Sequence, residues 1–306
     1  MADKMNNKIQ NWLTFSKERF DPLSHLVMIF VFISAHLLVV NPVYNIKATS
    51  LHDVMLFIGV TLFYFKLRLY DEVKDYELDV IINKHRPLPR GLLNHQDMYK
   101  GMIFCIVLEL LIFSIMGMQS LISISLVIAY SLIMYKEFFI KKFIRPHLTT
   151  YALMHTIVTS LLSFAIFSFA TKESFFSLIS NKTLILFAIA NWMLFNIFEF
   201  GRKTYAPEEE RENVDTYSSL FGATGASLLV LSQSIVAVFC SLNLKGIHPT
   251  FAIISFSLLT FIQLFLSGKY IIQNNVQSAK HFRIFSSIYI VVFYCLIIIG
   301  HILPSM

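Results

Sequence analysis

The sequence predicts an all-α polytopic membrane protein of about nine transmembrane helices. Hydrophobic residues make up 56% of the 306-residue chain and charged residues 14%, against roughly 45 to 50% and 25% in soluble domains. The apolar residues also recur in uninterrupted stretches of about 18 to 22, the length that spans a hydrocarbon core as a helix. Lys and Arg gather on one side of those stretches, which sets an orientation.

Nine spans are expected, in order Leu23 to Val40, Leu51 to Tyr70, Met102 to Met118, Leu121 to Tyr135, Tyr151 to Ala170, Thr183 to Phe200, Leu220 to Leu242, Phe251 to Tyr270 and Ile284 to Leu303. Gly117 marks a tight turn between the third and fourth. Residues 1–306 read as one transmembrane domain, with 1–21 as an interfacial N-terminal segment and 71–98 and 201–219 as loops that carry motifs. The first of these carries Lys4, Lys8, Lys17 and Arg19 and lacks a cleavage-type small-residue site, so it is not read as a removable signal peptide. Its Ile9, Trp12, Leu13 and Phe15 suggest a helix lying in the membrane interface. Cys105, Cys240 and Cys295 lie inside apolar stretches without paired spacing, which points to neither a disulfide framework nor a zinc site.

Of the 25 Lys and Arg, all but Lys47, Lys172, Lys182 and Lys245 fall on the side that carries the N-terminus. Positively charged loops stay cytoplasmic, so the N-terminus is expected inside and the C-terminus outside, in the plasma (inner) membrane. The net charge of +6 is accounted for by this bias, and no nucleic-acid partner is expected. The oligomeric state is not set by the sequence.

The acids are more informative, because 11 of the 19 Asp and Glu fall in two places, Asp71 to Asp79 and Glu199 to Asp215. Both follow spans on the same side. If the second helix runs on out of the membrane, at about 100° per residue Arg68, Asp71, Glu72, Asp75 and Asp79 share an arc of roughly 100°, while Lys66, Lys74 and Glu77 point away. Like charges one turn apart destabilise a helix unless something cationic fills the gap. Magnesium is the natural filler, since it binds one or two carboxylates and completes its shell with waters and substrate phosphates. A solvated acidic helix end is the bland alternative, and four carboxylates on one face at a membrane boundary weigh against it. Directly after comes a basic loop stiffened by Pro87 and Pro89, in which Lys84, Arg86 and Arg90 are placed to meet phosphate oxygens.

The second place begins with Glu199 near the end of an apolar helix, with Lys203 one turn on as its local partner. Pro207 stops the helix and Glu208, Glu209 and Glu210 follow. Asp215 is a candidate N-cap of the next span. Deeper in the bilayer, Glu109 is a candidate proton acceptor, acceptor contact or protonated interhelical partner, and His155 and Gln263 are read as interhelical hydrogen-bonding groups.

The residues resemble the UbiA superfamily of intramembrane prenyltransferases. Asp71-Glu72-x-x-Asp75-x-x-x-Asp79 occupies the pattern N-D-x-x-D-x-x-x-D, with Asp for Asn and Glu for the first Asp, and Arg86-Pro87-x-x-x-Gly91 matches R-P-x-x-x-G. Glu199 and Glu208 or Glu209 stand where the family has a second acidic motif, with Glu for Asp. The resemblance implies two motifs facing each other across a cavity, with two magnesium ions bridging a prenyl diphosphate. It implies Asp71, Glu72, Asp75, Asp79, Glu199, Glu208 and Glu209 as metal ligands, with Asp71, Asp75, Asp79, Glu199 and Tyr64 catalytic. Arg68, Lys84, Arg86, Arg90, Arg202, Lys203 and Lys136, the last at the inner end of the fourth span, are the expected diphosphate-binding set, and Tyr64, on the face of Arg68 and Asp75 but deeper, is the ring expected to stabilise a carbocation. The activity implied is Mg-dependent transfer of a prenyl group to an aromatic or other lipophilic acceptor. A UbiA-like terpene cyclase without acceptor is the alternative. A cation-coupled transporter is more remote, since its ionisable residues belong near the midplane, and a CDP-alcohol phosphotransferase is remoter still, since its signature D-x-x-D-G-x-x-A-R is absent.

Overall fold

The computed structural model describes residues 2–46, 50–212 and 214–303, with side chains from Asn7 onward. Lys4 and Lys47, which entered the charge bias, lie outside the described side chains. Thirteen α-helices follow one another among the described residues: α1 (Ala2–Arg19), α2 (Pro22–Tyr44), α3 (Ser50–Lys74), α4 (Tyr76–Ile82), α5 (His95–Ser114), α6 (Met118–Tyr135), α7 (Lys141–Ile144), α8 (Leu148–Thr171), α9 (Phe175–Leu178), α10 (Lys182–Arg202), α11 (Tyr217–Leu242), α12 (Pro249–Gln273) and α13 (Val276–Ile302). No strand occurs among them.

Eight of these, α2, α3, α6, α8, α10, α11, α12 and α13, are long and apolar enough to cross a membrane. The expected third span is α5, which carries Asp97, Lys100 and Glu109 and so falls short on composition. Its 20 residues still make a helix of about 30 Å. His95 at its start lines one cleft with Lys74 at the end of α3 and Tyr135 at the end of α6, so α5 leads away from that end and α6 returns to it. The nine long helices form a closed circuit in which each packs on the next, from α2 through α3, α5, α6, α8, α10, α11, α12 and α13 back to α2.

Helix ends follow local chemistry. Asn94 caps α5 in a reciprocal box with Asp97, and Asn275 caps α13 on the amide of Ser278. The N-cap of α11 is Thr216, which accepts from the Ser219 amide, and not Asp215 as expected. A hydroxyl one residue later wins because it also meets Glu210, at 2.8 Å. Gly117 precedes α6 at φ 107°, a conformation open to glycine.

Polar groups inside the circuit are mostly paired. His36 Nε2 lies 2.9 Å from Ser163 Oγ, and the Asn191 amide donates to Ser163 Oγ at 2.9 Å. Lys66 and Glu109, both wholly buried, form an ion pair of 2.5 Å between α3 and α5. The lysine that helical geometry turned away from the acidic face thus has a partner on the helix behind it. Gln263 does not act as expected, since neither side-chain atom meets a hydrogen-bond partner among the described residues.

The N-terminal helix is docked as well as amphipathic. Phe15 is buried and meets Trp12 and Phe65 edge to face, while Ile9 and Leu13 on the other flank stay exposed. Lys8 pairs with Asp97 at 2.5 Å, Arg19 with Glu72, and Glu18 with Arg90 at 2.8 Å. Ring burial and three ion pairs therefore hold α1 against α3, α5 and the loop before α5.

Candidate active site

Helix α3 does not continue smoothly through the acidic run. It ends at Lys74, and Asp75, at φ −93° and ψ 1°, forms a bend that starts α4. Bonds from Asp75 N to Asp71 O and from Asp79 N to Asp75 O carry the helical pattern across the bend, so Asp75 stays in electrostatic reach of Asp71 and Asp79, and the four carboxylates differ in their partners. Glu72 is fully buried against Arg19 of α1. Asp79 is buried, accepts from Asn83 Nδ2 at 2.8 Å and is paired with Arg86. Asp71 and Asp75 are left flanking the bend. Asp71 is about half exposed and meets Arg68 only at 3.4 Å. Asp75 makes no ion pair among the described residues, and burial together with the neighbouring Asp71 charge pushes its carboxyl above the usual range despite Lys74.

The second motif reaches the same place from α10. Glu199 accepts from Arg202 Nε at 2.7 Å and from Lys203 Nζ at 2.8 Å, so the partner expected one turn on is present, with a second base beside it. Arg202 also lies within electrostatic reach of Asp71, and Arg68 within reach of Arg202. The ends of α3 and α10 therefore converge, although the two helices are not packed along their lengths and α2 lies against both.

Deeper between them, Tyr64 of α3 stacks on Phe195 of α10, with centroids 6.0 Å apart and planes 8° from parallel. Phe32 closes on both rings edge to face, at 5.9 and 6.3 Å, and on Tyr294 at 5.6 Å. Both Tyr64 and Phe195 keep accessible surface, and the Tyr64 hydroxyl meets no partner among the described residues. These rings form an aromatic cluster between α2, α3, α10 and α13.

Other expected site residues are placed elsewhere. Arg90 is held by both oxygens of Glu18, and that pairing keeps the Glu18 carboxyl below its ordinary range. Glu209 is gripped through both oxygens by Arg283 at 2.6 and 2.7 Å, and that hydrogen bonding holds its carboxyl low. Glu210 accepts from Ser218 at 2.6 Å. Glu208 and Lys84 are exposed. Lys136 sits over the Tyr135 ring in the cleft at the end of α6. Arg86 thus meets an opposite charge within its own motif-bearing run, whereas Arg90 and Glu209 meet opposite charges from distant segments that the local sequence does not reveal.

Residues not singled out by the sequence also enter. Lys74 turns into the protein, donates to Tyr151 Oη at 2.9 Å and lies 3.3 Å from His155 Nε2. His155 is in electrostatic reach of Glu199 and Lys203. A polar bridge over α8 thereby links the two motif-bearing helices. Its one legible signal was His155 itself, a polar side chain inside an apolar span. Beneath Glu199, Asn196 donates to Gln233 at 3.0 Å and meets Thr156, to which Trp192 donates at 3.1 Å.

A model of the UbiA prenyltransferase family matches residues 23–290. The chain belongs to this family. Its fold is similar to that in "Structural and mechanistic insights into the biosynthesis of Digeranylgeranylglyceryl phosphate synthase in membranes", with a TM-score of 0.61, 16% identity, and coverage of 95% of this chain and 98% of that one. It is also similar to the apo structure of a UbiA homolog from Aeropyrum pernix K1, with a TM-score of 0.65, 14% identity, and coverage of 90% and 98%. At these identities the likeness shows the fold. No curated protein matches the sequence. Within the UbiA fold of this chain, α3 and α10 carry the two acidic motifs to one end of the bundle.

Whether these residues suit magnesium turns on the donor set. Among the described residues no three His, Cys, Asp or Glu side chains gather closely enough to hold a metal by themselves. Magnesium does not require that, since one or two carboxylates with waters and substrate phosphates complete its shell. Asp71 and Asp75, adjacent and short of counter-charge, fit one such ion. Glu199 already meets two bases and offers a poorer second site.

Proposed function

We propose that this protein is a magnesium-dependent prenyltransferase that ionises a prenyl diphosphate and passes the prenyl group to an aromatic or other lipophilic acceptor. The observation that carries this reading is the meeting of Asp71, with Asp75 beside it, with Arg68 and Arg202 where α3 nears the Glu199–Lys203 pair of α10, on the two helices whose Tyr64 and Phe195 rings stack. Membership of the family supports a prenyl diphosphate as donor.

The residues divide the work by charge and polarity. Asp71 and Asp75 would hold magnesium, which when bound neutralises a diphosphate leaving group and so lowers the barrier to its departure. Arg68 and Arg202 present guanidinium donors to the same oxygens, and Lys203 adds a third positive charge. Tyr64 and Phe195 offer π-faces to the allylic cation left behind. The apolar walls around Phe32 and Tyr294 hold water away from that cation, which water would otherwise capture. The charge bias of the loops supports a cytoplasmic position for the motif-bearing end, in the plasma (inner) membrane. Carboxylates gathered at one end give the cation-transport reading no support.

The test is diphosphate release from a panel of prenyl diphosphates by protein in membranes, with and without magnesium and lipophilic acceptors. We expect release to need magnesium and an acceptor, and to fall at least roughly 100-fold in Asp71→Ala and Asp75→Ala, the scale on which removal of a transition-state charge contact acts. Equal release from native protein and both variants would remove the assignment. Turnover of a prenyl diphosphate alone to a hydrocarbon or alcohol would replace transfer by cyclisation.

A further inference from the structure

The cleft at the motif-bearing end that Lys74, His95 and Tyr135 share has no residue of α10 in its lining. It lies between the α3–α4 bend, the start of α5 and the end of α6, holds about 380 Å³, and is lined by Tyr76, His95, Tyr99, Tyr135, Lys136 and Lys141 among others. At about 30 Å³ per water it has room for roughly a dozen waters, enough for a phosphate ester with its glycerol.

We propose that this cleft binds the phosphate headgroup of an anionic phospholipid from the surrounding bilayer. Its charge is complementary to such a group. Glu137 on its wall is buried and paired with Arg145 at 2.6 Å, which leaves Lys136 and Lys141 exposed and Glu77 as the remaining acid. The aromatic walls are fixed in place, Tyr135 against Tyr70 at 4.8 Å and Tyr76 against His95 at 4.5 Å. Basic pockets between transmembrane helices are the sites where acidic lipid headgroups bind.

The rim shows how the cleft meets the bilayer. Glu137, Phe138 and Phe139 take positive φ of 51°, 55° and 59°, a left-handed turn rare in residues other than glycine. The turn seats Phe138 on Tyr130 and His155 and leaves Phe139 and Phe143 at 77% and 68% exposure, with Lys141 and Lys142 between them. Apolar rings interleaved with lysines match a membrane interface, with the rings in the acyl boundary and the charges at the headgroups. The exposed Ile103 and Phe104 of α5 and Leu132 and Ile133 of α6 continue this surface along the bundle, where acyl chains would run.

The test counts phospholipids retained by the full-length protein in native mass spectrometry, after reconstitution with equal amounts of phosphatidylglycerol and phosphatidylcholine of the same chains. We expect at least one phosphatidylglycerol retained in preference to phosphatidylcholine. Its affinity should drop roughly 30-fold in Lys136→Gln/Lys141→Gln, from the loss of two lysines near an anionic surface. Lys172→Gln/Lys182→Gln, which removes the same charge at the other end, should retain it as native does. Melting temperatures of both variants establish that they are folded. Equal retention in all three proteins, or equal retention of the neutral lipid, would overturn the proposal. So would displacement by millimolar inorganic phosphate, which would identify a soluble anion as the ligand. No prenyl substrate enters the experiment, so its outcome is independent of the enzymatic reading.

Discussion

Lys66 and Glu109 illustrate what a single residue reveals in sequence and what it hides. Each was visible as an ionisable group near or within an apolar span, but their pairing at 2.5 Å across α3 and α5 joins positions that no local spacing relates. Removing one partner strands the other in a low-dielectric interior, which costs about 3 to 5 kcal/mol, whereas replacing both by apolar groups of similar size is often neutral. Lys66→Met and Glu109→Leu should each lower the melting temperature clearly, and the double variant should recover most of the loss. A double variant no more stable than either single one would count against the pair. Tyr64 makes a second test at this scale. Its hydroxyl meets no partner among the described residues while its face stacks on Phe195, so the ring is what should matter. Tyr64→Phe should keep diphosphate release near native, and Tyr64→Leu should lower it roughly 10-fold, the worth of a desolvated cation–π contact. Equal activity of the two variants would rule out a role for the ring.

Among the elements, hydropathy made the long helices legible because each must satisfy its backbone internally within lipid. The bend at Asp75 was not legible. No glycine or proline marks it, and the side chains beside it find distant partners, Glu72 in Arg19 and Lys74 in Tyr151 and His155. The arc drawn from an unbroken helix leaves Asp75 in reach of Asp71 and Asp79, but it did not reveal that Glu72 and Asp79 are taken up by Arg19 and Arg86. The tie of Arg90 to Glu18, 72 residues away, was hidden for the same reason. Gly201, just before Arg202, marks a close approach of α10 to α13, where a Cβ would overlap the Ser286 side chain. Gly201→Ala should destabilise by about 1 to 3 kcal/mol, the usual cost of overpacking, and should reduce activity by moving Glu199 and Arg202. A melting temperature equal to native would show that α13 can give way. Restoring it with Ser286→Gly would locate the strain at this crossing.

For the whole molecule, fold class was legible because membrane solvation constrains the entire chain at once. The exact set of charged groups at the site was not, because opposite charges at one end choose among several partners in three dimensions. Glu209, a candidate metal ligand by resemblance, links the α10–α11 connection to Arg283 of α13, a tie that no local spacing relates. Its folded carboxyl is held below the value of an unfolded chain, chiefly by that hydrogen bonding. The pair therefore contributes stability that is fully present above the unfolded glutamate value of about 4.3 and is lost as pH falls through the lower folded value. Native protein should melt higher than Glu209→Gln at pH 6, and the gap should close as the buffer is taken towards pH 3. A gap that stays constant over that range would mean that the charge of Glu209 plays no part.

The helix that precedes all the spans has a consequence for the order of assembly. Every tie of α1 reaches forward in the chain, from Arg19 to Glu72, from Glu18 to Arg90 and from Lys8 to Asp97. During synthesis it must wait at the lipid surface, apolar flank down, until α3 and α5 have entered the bilayer and their charged ends have emerged beside it. A segment translated before the spans it docks on thus finds its final place only after them.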